Sequence, residues 1–221
     1  MEERRIEIPS GRHLLEAAYQ AGSGQDGAVI CHPHPLYGGN MDNNVVLAVQ
    51  ECLAVRGWAT LRFNFRGVGS SGGQYGNGEG ETEDLLAAFD HLQQSGCRRV
   101  HVAGYSFGAW TALRASGRAP QAASLCLISP PIDLLDFSTL TLPRTPTLIT
   151  VGDSDSFCAV TALRDWLAGQ GADPGEVRFE IIEGCDHFYW GHEATLASRI
   201  AAFVKSLPVG NAAGKTDPPK H

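Results

Sequence analysis

The sequence predicts an α/β fold: a mostly parallel central sheet with helices on both faces. Three observations predict it. Short apolar runs alternate with segments whose apolar residues recur at helical spacing, the order of repeated βαβ units. Glycine, proline and asparagine cluster between these segments and punctuate them. No linker interrupts the order, so residues 1–207 read as one domain.

The elements follow in sequence. Arg5 to Ile8 and Leu14 to Gln20 read as an antiparallel pair at a sheet edge, joined by the turn Pro9-Ser10-Gly11. Ala28 to Cys31 is an apolar run that ends in a proline-rich loop. Val45 to Val55 has helical spacing, with Asp42, Asn43 or Asn44 available to cap its start and Gly57 to end it. Ala59 to Phe65 is a strand, and a glycine-rich loop runs from Gly67 to Gly80. Glu81 to Gln94 is an amphipathic helix with acidic residues in its first turn, where they oppose the helix dipole. Strands at Arg99 to Gly104, Leu125 to Ser129, Thr147 to Val151 and Val177 to Ile182 then alternate with helices at Phe107 to Ala115, Val160 to Ala168 and Glu193 to Leu207. The tail from Pro208 to His221 has almost nothing apolar to offset its ordering entropy, so a mobile tail is expected.

Composition narrows the function classes. The chain has 221 residues, 43% hydrophobic and 19% charged, which suits a packed core and argues against disorder. Its 26 glycines and 12 prolines follow no period, so fibrous readings fail. A net charge of −7 makes nucleic acid or an anionic membrane a poor partner, since either needs a basic face. Met1 to Arg5 is charged and leads into no apolar region, and no apolar run has the length of a membrane span, so a cytoplasmic location is expected. The six cysteines form no C-x-x-C pair and are expected to be buried and reduced.

The chemistry points to one edge of the sheet. Gly104-Tyr105-Ser106-Phe107-Gly108 follows a strand and opens a helix. In a G-x-S-x-G elbow the serine sits on a strained turn that glycines relieve, and the helix N-terminus points its N–H groups at the same place. A hydroxyl needs a base to become a good nucleophile. Of eight histidines, His187 lies between the last strand and the last helix, in a loop that emerges at the same edge as Ser106. His91 and His101 fall inside a helix and a strand and read as structural, and His13 and His221 lie far from the expected site. A carboxylate must orient the imidazole. Asp155 is favoured over Asp153 at the end of the preceding strand, with Asp133 an outside candidate.

The tetrahedral oxyanion needs N–H donors. Phe107, next to the nucleophile, supplies one. The second is expected from His32-Pro33-His34-Pro35-Leu36-Tyr37-Gly38-Gly39, where Leu36 is the first donor beyond the prolines and Tyr37 the next. A metal site at His32 and His34 lacks a third ligand nearby, so no metal and no cofactor are expected. The loop from Asn64 to Gly72 lacks the G-K-[ST] ending of a phosphate cradle and reads as a structural turn, with Arg66 placed to brace it.

These motifs resemble the α/β-hydrolases, close to the dienelactone hydrolase-like branch. More narrowly, the chain is similar to compact, lid-less bacterial serine hydrolases marked by H-P-H-P-L-Y-G-G, M-D-N-N, R-F-N-F-R-G-V-G-S-S, G-E-T-E-D, G-Y-S-F-G and a late D-H-F, all present between His32 and Phe188. The resemblance implies an α/β-hydrolase fold, a triad of Ser106, Asp155 and His187, and an oxyanion hole from Leu36 and Phe107. Dienelactone hydrolases proper use a cysteine; Ser106 stands there instead and points to esters more generally.

The function expected is a serine carboxylesterase acting on a small-molecule ester. Only residues 130–146 separate two strands where lids are usually inserted, so no sizeable cap and a preference for short acyl groups are expected. Tyr37, Tyr105, Phe137, Tyr189 and Trp190 are the candidate substrate-lining residues. Amide or peptide hydrolysis on the same fold and a catalytically silent binding protein are the alternative readings. The sequence leaves room for a homodimer but does not locate its interface.

Overall fold

Alternation of buried side chains along each central strand builds two cores, one on each face of a single sheet. In the computed structural model, which describes residues 2–118, 122–170 and 177–208, that sheet has eight strands in the order β1-β2-β4-β3-β5-β6-β7-β8. The strands are β1 (Glu3–Ser10), β2 (His13–Gln20), β3 (Asp26–Cys31), β4 (Ala59–Phe63), β5 (Arg99–Tyr105), β6 (Leu125–Ile128), β7 (Thr147–Gly152) and β8 (Val177–Ile182). β1 pairs antiparallel with β2, and β2 with β4; every later pairing is parallel.

Five helices among the described residues cover the faces: α1 (Asn44–Ala54), α2 (Glu79–Gln94), α3 (Phe107–Ser116), α4 (Val160–Ala168) and α5 (Glu193–Ser206). Val29, Val102, Leu127 and Ile149 face one core with Leu85 and Phe89 of α2, Trp110 and Leu113 of α3 and Leu163 of α4. Their strand neighbours Ile30, Ala103, Ile128 and Leu148 face the other, with Val46 and Val49 of α1 and Leu196 and Ile200 of α5. Because successive side chains of a strand point to opposite faces, a strand covered on both sides is apolar throughout. β6 shows this plainly, with all four residues of Leu-Cys-Leu-Ile buried.

The expected elements form with small shifts. Pro9 and Ser10 continue β1 instead of turning, because the edge position asks no inward N–H of Pro9, and the turn moves to Gly11 and Arg12. α1 is capped by the Asn43 side chain, which accepts from the Val45 N–H at 2.9 Å. α2 starts two residues early, because Glu81 accepts from the N–H groups of Gly76 and Gly78 and draws Glu79 and Gly80 into the first turn. No helix or strand forms between β6 and β7, so the fold carries no cap there. The expected tail lies, apart from Pro208, outside the described residues. No helix among the described residues is long and apolar enough to cross a membrane.

The chain leaves β3 toward β4 on one side and leaves β5 toward β6 on the other. A crevice opens above the carboxyl ends of two strands whose connections diverge in this way. It is bounded by the turn after β5 and the loop after β3.

Candidate active site

Ser106 stands between β5 and α3 with φ 55° and ψ −118°, a conformation that L-residues rarely adopt. Its flanking glycines explain how the turn is tolerated. A Cβ on Gly104 would overlap the Gly108 carbonyl, and one on Gly108 would overlap the Cys31 carbonyl at the end of β3. The elbow is locked from below by the Ser106 N–H, which donates to the Ile128 carbonyl at 2.8 Å.

His187 reaches the serine from the loop after β8. Its Nε2 lies 2.9 Å from Ser106 Oγ, and its Nδ1 lies 2.9 Å from both oxygens of Asp155. The carboxylate can only accept, so Nδ1 carries the proton and Nε2 is left to accept from the serine hydroxyl. Asp155 is itself held: its Oδ1 accepts from the N–H groups of Phe157 and Cys158 in the turn after β7. All three side chains are buried, which keeps water from competing for these bonds.

The other two aspartates point elsewhere. Asp153 accepts from the Gly184 N–H, and Asp133 from the Ala159 N–H at the start of α4. The histidine loop is tied down at two consecutive carbonyls. Tyr105 Oη donates to the His187 carbonyl at 2.7 Å, and Asn44 Nδ2 donates to the Phe188 carbonyl at 3.0 Å. Burial pushes the Tyr105 phenol well above its usual range, so it stays a donor.

The loop after β3 forms a 3-10 turn at Pro35–Tyr37. His32 is buried beneath it, with Nδ1 donating to the Pro33 carbonyl and Nε2 accepting from the Phe65 N–H at 3.0 Å. Burial lowers its pKa to about 4, so it is neutral. His34 Nδ1 accepts from the Leu36 N–H at 3.2 Å, and the Tyr37 N–H donates to the His34 carbonyl. The expected Leu36 donor is therefore already engaged, because the turn folds its N–H back onto the preceding imidazole. The His34 N–H, between the two prolines, has no acceptor among the described residues, and neither does that of Phe107 at the helix start. The sequence marks the two prolines as non-donors but not which of the remaining N–H groups the turn engages, so it does not single out His34.

A cleft of about 540 Å³ opens over Ser106 and His187. Its walls include Pro33, His34, Tyr37, Leu134, Phe157 and Phe188. Of the expected lining residues, Tyr37 and Tyr105 reach it. Phe137 does not, since it is buried edge-on against Trp166. Nor does Tyr189, which is fully buried with its hydroxyl 2.9 Å from Ser129 Oγ. Trp190 is exposed beyond the cleft wall. Leu134, Phe157 and Phe188 were missed. Phe188 stood in the D-H-F motif and Phe157 two residues after Asp155, but loop residues carry no periodicity to show which way they face.

The remaining motifs form a brace under the site. Arg66 pairs with the buried Asp84 of α2, which also accepts from Ser10. Asn64 accepts from the Met41 N–H and donates to Glu16, and Arg62 pairs with Glu3 and Asp42. No group of three or more metal-ligating side chains is assembled among the described residues.

Comparison with known proteins places this geometry. A model described as the alpha/beta hydrolase family matches residues 47–150. A serine hydrolase homologue from Coxiella burnetii superposes with a TM-score of 0.84 at 32% identity, covering 94% of this chain and 99% of that one. The chain belongs to the α/β-hydrolase family. An α/β serine hydrolase without lid from Xanthomonas campestris superposes with a TM-score of 0.85 at 28% identity, over 94% and 96% of the two chains. An uncharacterized protein of Rickettsia prowazekii is 37% identical over 190 residues, or 82% of this chain and 79% of that protein. This α/β-hydrolase thus lies among lid-less serine hydrolases, and its uninterrupted β6–β7 connection agrees.

Proposed function

We propose that this chain is a serine carboxylesterase that cleaves small esters through an acyl-enzyme. The observation that carries the reading is the continuous hydrogen-bonded line from Asp155 through His187 to Ser106, opening on a cleft. In it, Ser106 Oγ attacks the ester carbonyl as His187 Nε2 takes its proton. Asp155 holds the ring and stabilises the imidazolium that results. The oxyanion is received by the N–H groups of Phe107 and His34, both without an acceptor among the described residues and the first aided by the dipole of α3. The imidazolium then protonates the leaving alkoxide. Water, deprotonated by the same nitrogen, releases the acid and restores Ser106.

The absence of a cap supports short acyl groups over long lipid chains. Six free, buried cysteines fit a reducing, cytoplasmic setting. The test is hydrolysis of p-nitrophenyl butyrate alongside labelling by a fluorophosphonate probe. Ser106→Ala is expected to lower turnover by about 10⁴ or more and to abolish labelling. A variant that keeps wild-type turnover rejects the reading.

A further inference from the structure

The cleft contains aromatic and aliphatic walls and no fixed charge. Phe157, Phe188 and Tyr37 line it, and the buried Phe107 packs behind His34. Phe157 and Phe188 contact His187 at centroid distances of 4.9 and 5.9 Å. Tyr37 and Phe107 contact His34 at 4.5 and 4.9 Å. Leu134 adds an exposed aliphatic surface. No lysine or arginine reaches the wall. Its one further basic group, His34, is kept neutral: partial burial lowers its pKa, and its Nδ1 is occupied as an acceptor.

The charged side chains within two residues of Leu134, Phe157 and Phe188 are acidic. Asp155, Asp186 and Asp133 each accept from backbone N–H groups next to lining residues or to the loops that carry them. Glu193 follows, bound to the Asn44 that pins the histidine loop. Burial first, and then the carboxylates of Asp186, Asp155, Asp153 and Glu193, push the Cys185 thiol up to about 12. An anionic group entering the cleft would lose water and meet no cation on its wall, with carboxylates in the loops behind it.

We infer that the enzyme selects its substrates by charge: it takes uncharged esters with an apolar acyl group seated on Leu134, Phe157 and Phe188, and excludes esters bearing a carboxylate or phosphate. This inference rests on the esterase reading and narrows it to one substrate class.

The test compares p-nitrophenyl hexanoate with the p-nitrophenyl monoester of adipic acid, which has the same chain length and leaving group but ends in a carboxylate. At neutral pH kcat/KM is expected to favour hexanoate by about tenfold or more, the cost of an unpaired charge in a partly enclosed site. Leu134→Arg, at a half-exposed position outside the triad, is expected to narrow that ratio by raising adipate turnover. Equal rates on the two esters in the wild-type protein, or a preference for adipate, overturn the inference while leaving the esterase reading intact. Inactivation by ethyl p-nitrophenyl hexylphosphonate, an uncharged diester, and by its ω-carboxylate analogue gives the same comparison without turnover. Labelling of Ser106 with the expected selectivity but no ester hydrolysis overturns the esterase reading and keeps the charge selection.

Discussion

The sheet carries two hydrogen-bonded lines of serine, histidine and aspartate, one at each edge. At the carboxyl edge stand Ser106, His187 and Asp155. At the amino edge Ser124 Oγ lies 2.7 Å from His101 Nδ1, and His101 Nε2 lies 3.1 Å from Asp26 Oδ1. Bond lengths alone do not tell them apart. The surroundings do. Ser124 has an ordinary backbone, precedes a strand instead of a helix, and is buried. His101 lies within β5 under a stacked Trp58 ring at 4.1 Å, and Arg99 takes the other oxygen of Asp26. Ser106 has the strained elbow, the helix N-terminus and the open cleft. Three residue types in register make a polar network; reactivity needs a place for the substrate and donors for its oxyanion.

Removing the matching carboxylate from each line gives the sharpest contrast. Asp155→Asn is expected to lower kcat by about 10³–10⁴, because the amide favours the wrong imidazole tautomer. Asp26→Asn should leave kcat near the wild-type value and cost about 1–3 kcal/mol of stability through lost charged hydrogen bonds. Steady-state kinetics and urea unfolding of both variants separate the two roles. An Asp26→Asn protein as inactive as Asp155→Asn would break the distinction.

Acid should then expose the structural histidines. Burial lowers the pKa of both His101 and His32, so as pH falls the unfolded chain takes up protons before the folded one does. Their contribution is complete above the ordinary imidazole value and is lost as pH falls from there toward about 4, the lowered value of His32. For the fully buried His32 that loss is on the order of 3 kcal/mol. Denaturant midpoints measured at stepped pH check it. A midpoint that stays level down to pH 4 contradicts the assignment.

The smallest effect is expected at Tyr105, whose hydroxyl reaches only the backbone carbonyl of His187 while its ring packs against the imidazole at 5.5 Å. Tyr105→Phe removes one buried hydrogen bond, typically about 1 kcal/mol, and should lower kcat severalfold with KM nearly unchanged. A shift in KM without change in kcat would instead make Tyr105 a substrate contact.

The pairing of Ser106 with His187 was legible because each sits at a boundary between elements that periodicity marks well. Ser106 lies between the apolar strand and the helix flanked by glycines, and His187 between the last strand and the last helix. The choice of Asp155 over Asp153 and Asp133 rested on one turn, where a shift of a residue or two redirects the carboxylate. The brace residues stood in the motifs, yet Arg66 with Asp84 and Asn44 with Phe188 join positions far apart in the chain, and spacing says nothing of such pairs.

The sequence by itself determined the strand and helix order, the two-sided burial of the central strands and the strained serine turn. These rest on local preferences: hydrophobic period, capping side chains and glycine at crowded backbone positions. Only the tertiary structure decided which N–H groups were left without a partner, which aromatic rings faced the cleft, and which of two like networks opened on it. Each of these depends on where a loop comes to rest against chain distant from it. A loop side chain has no repeat to fix its direction, so packing alone sets it.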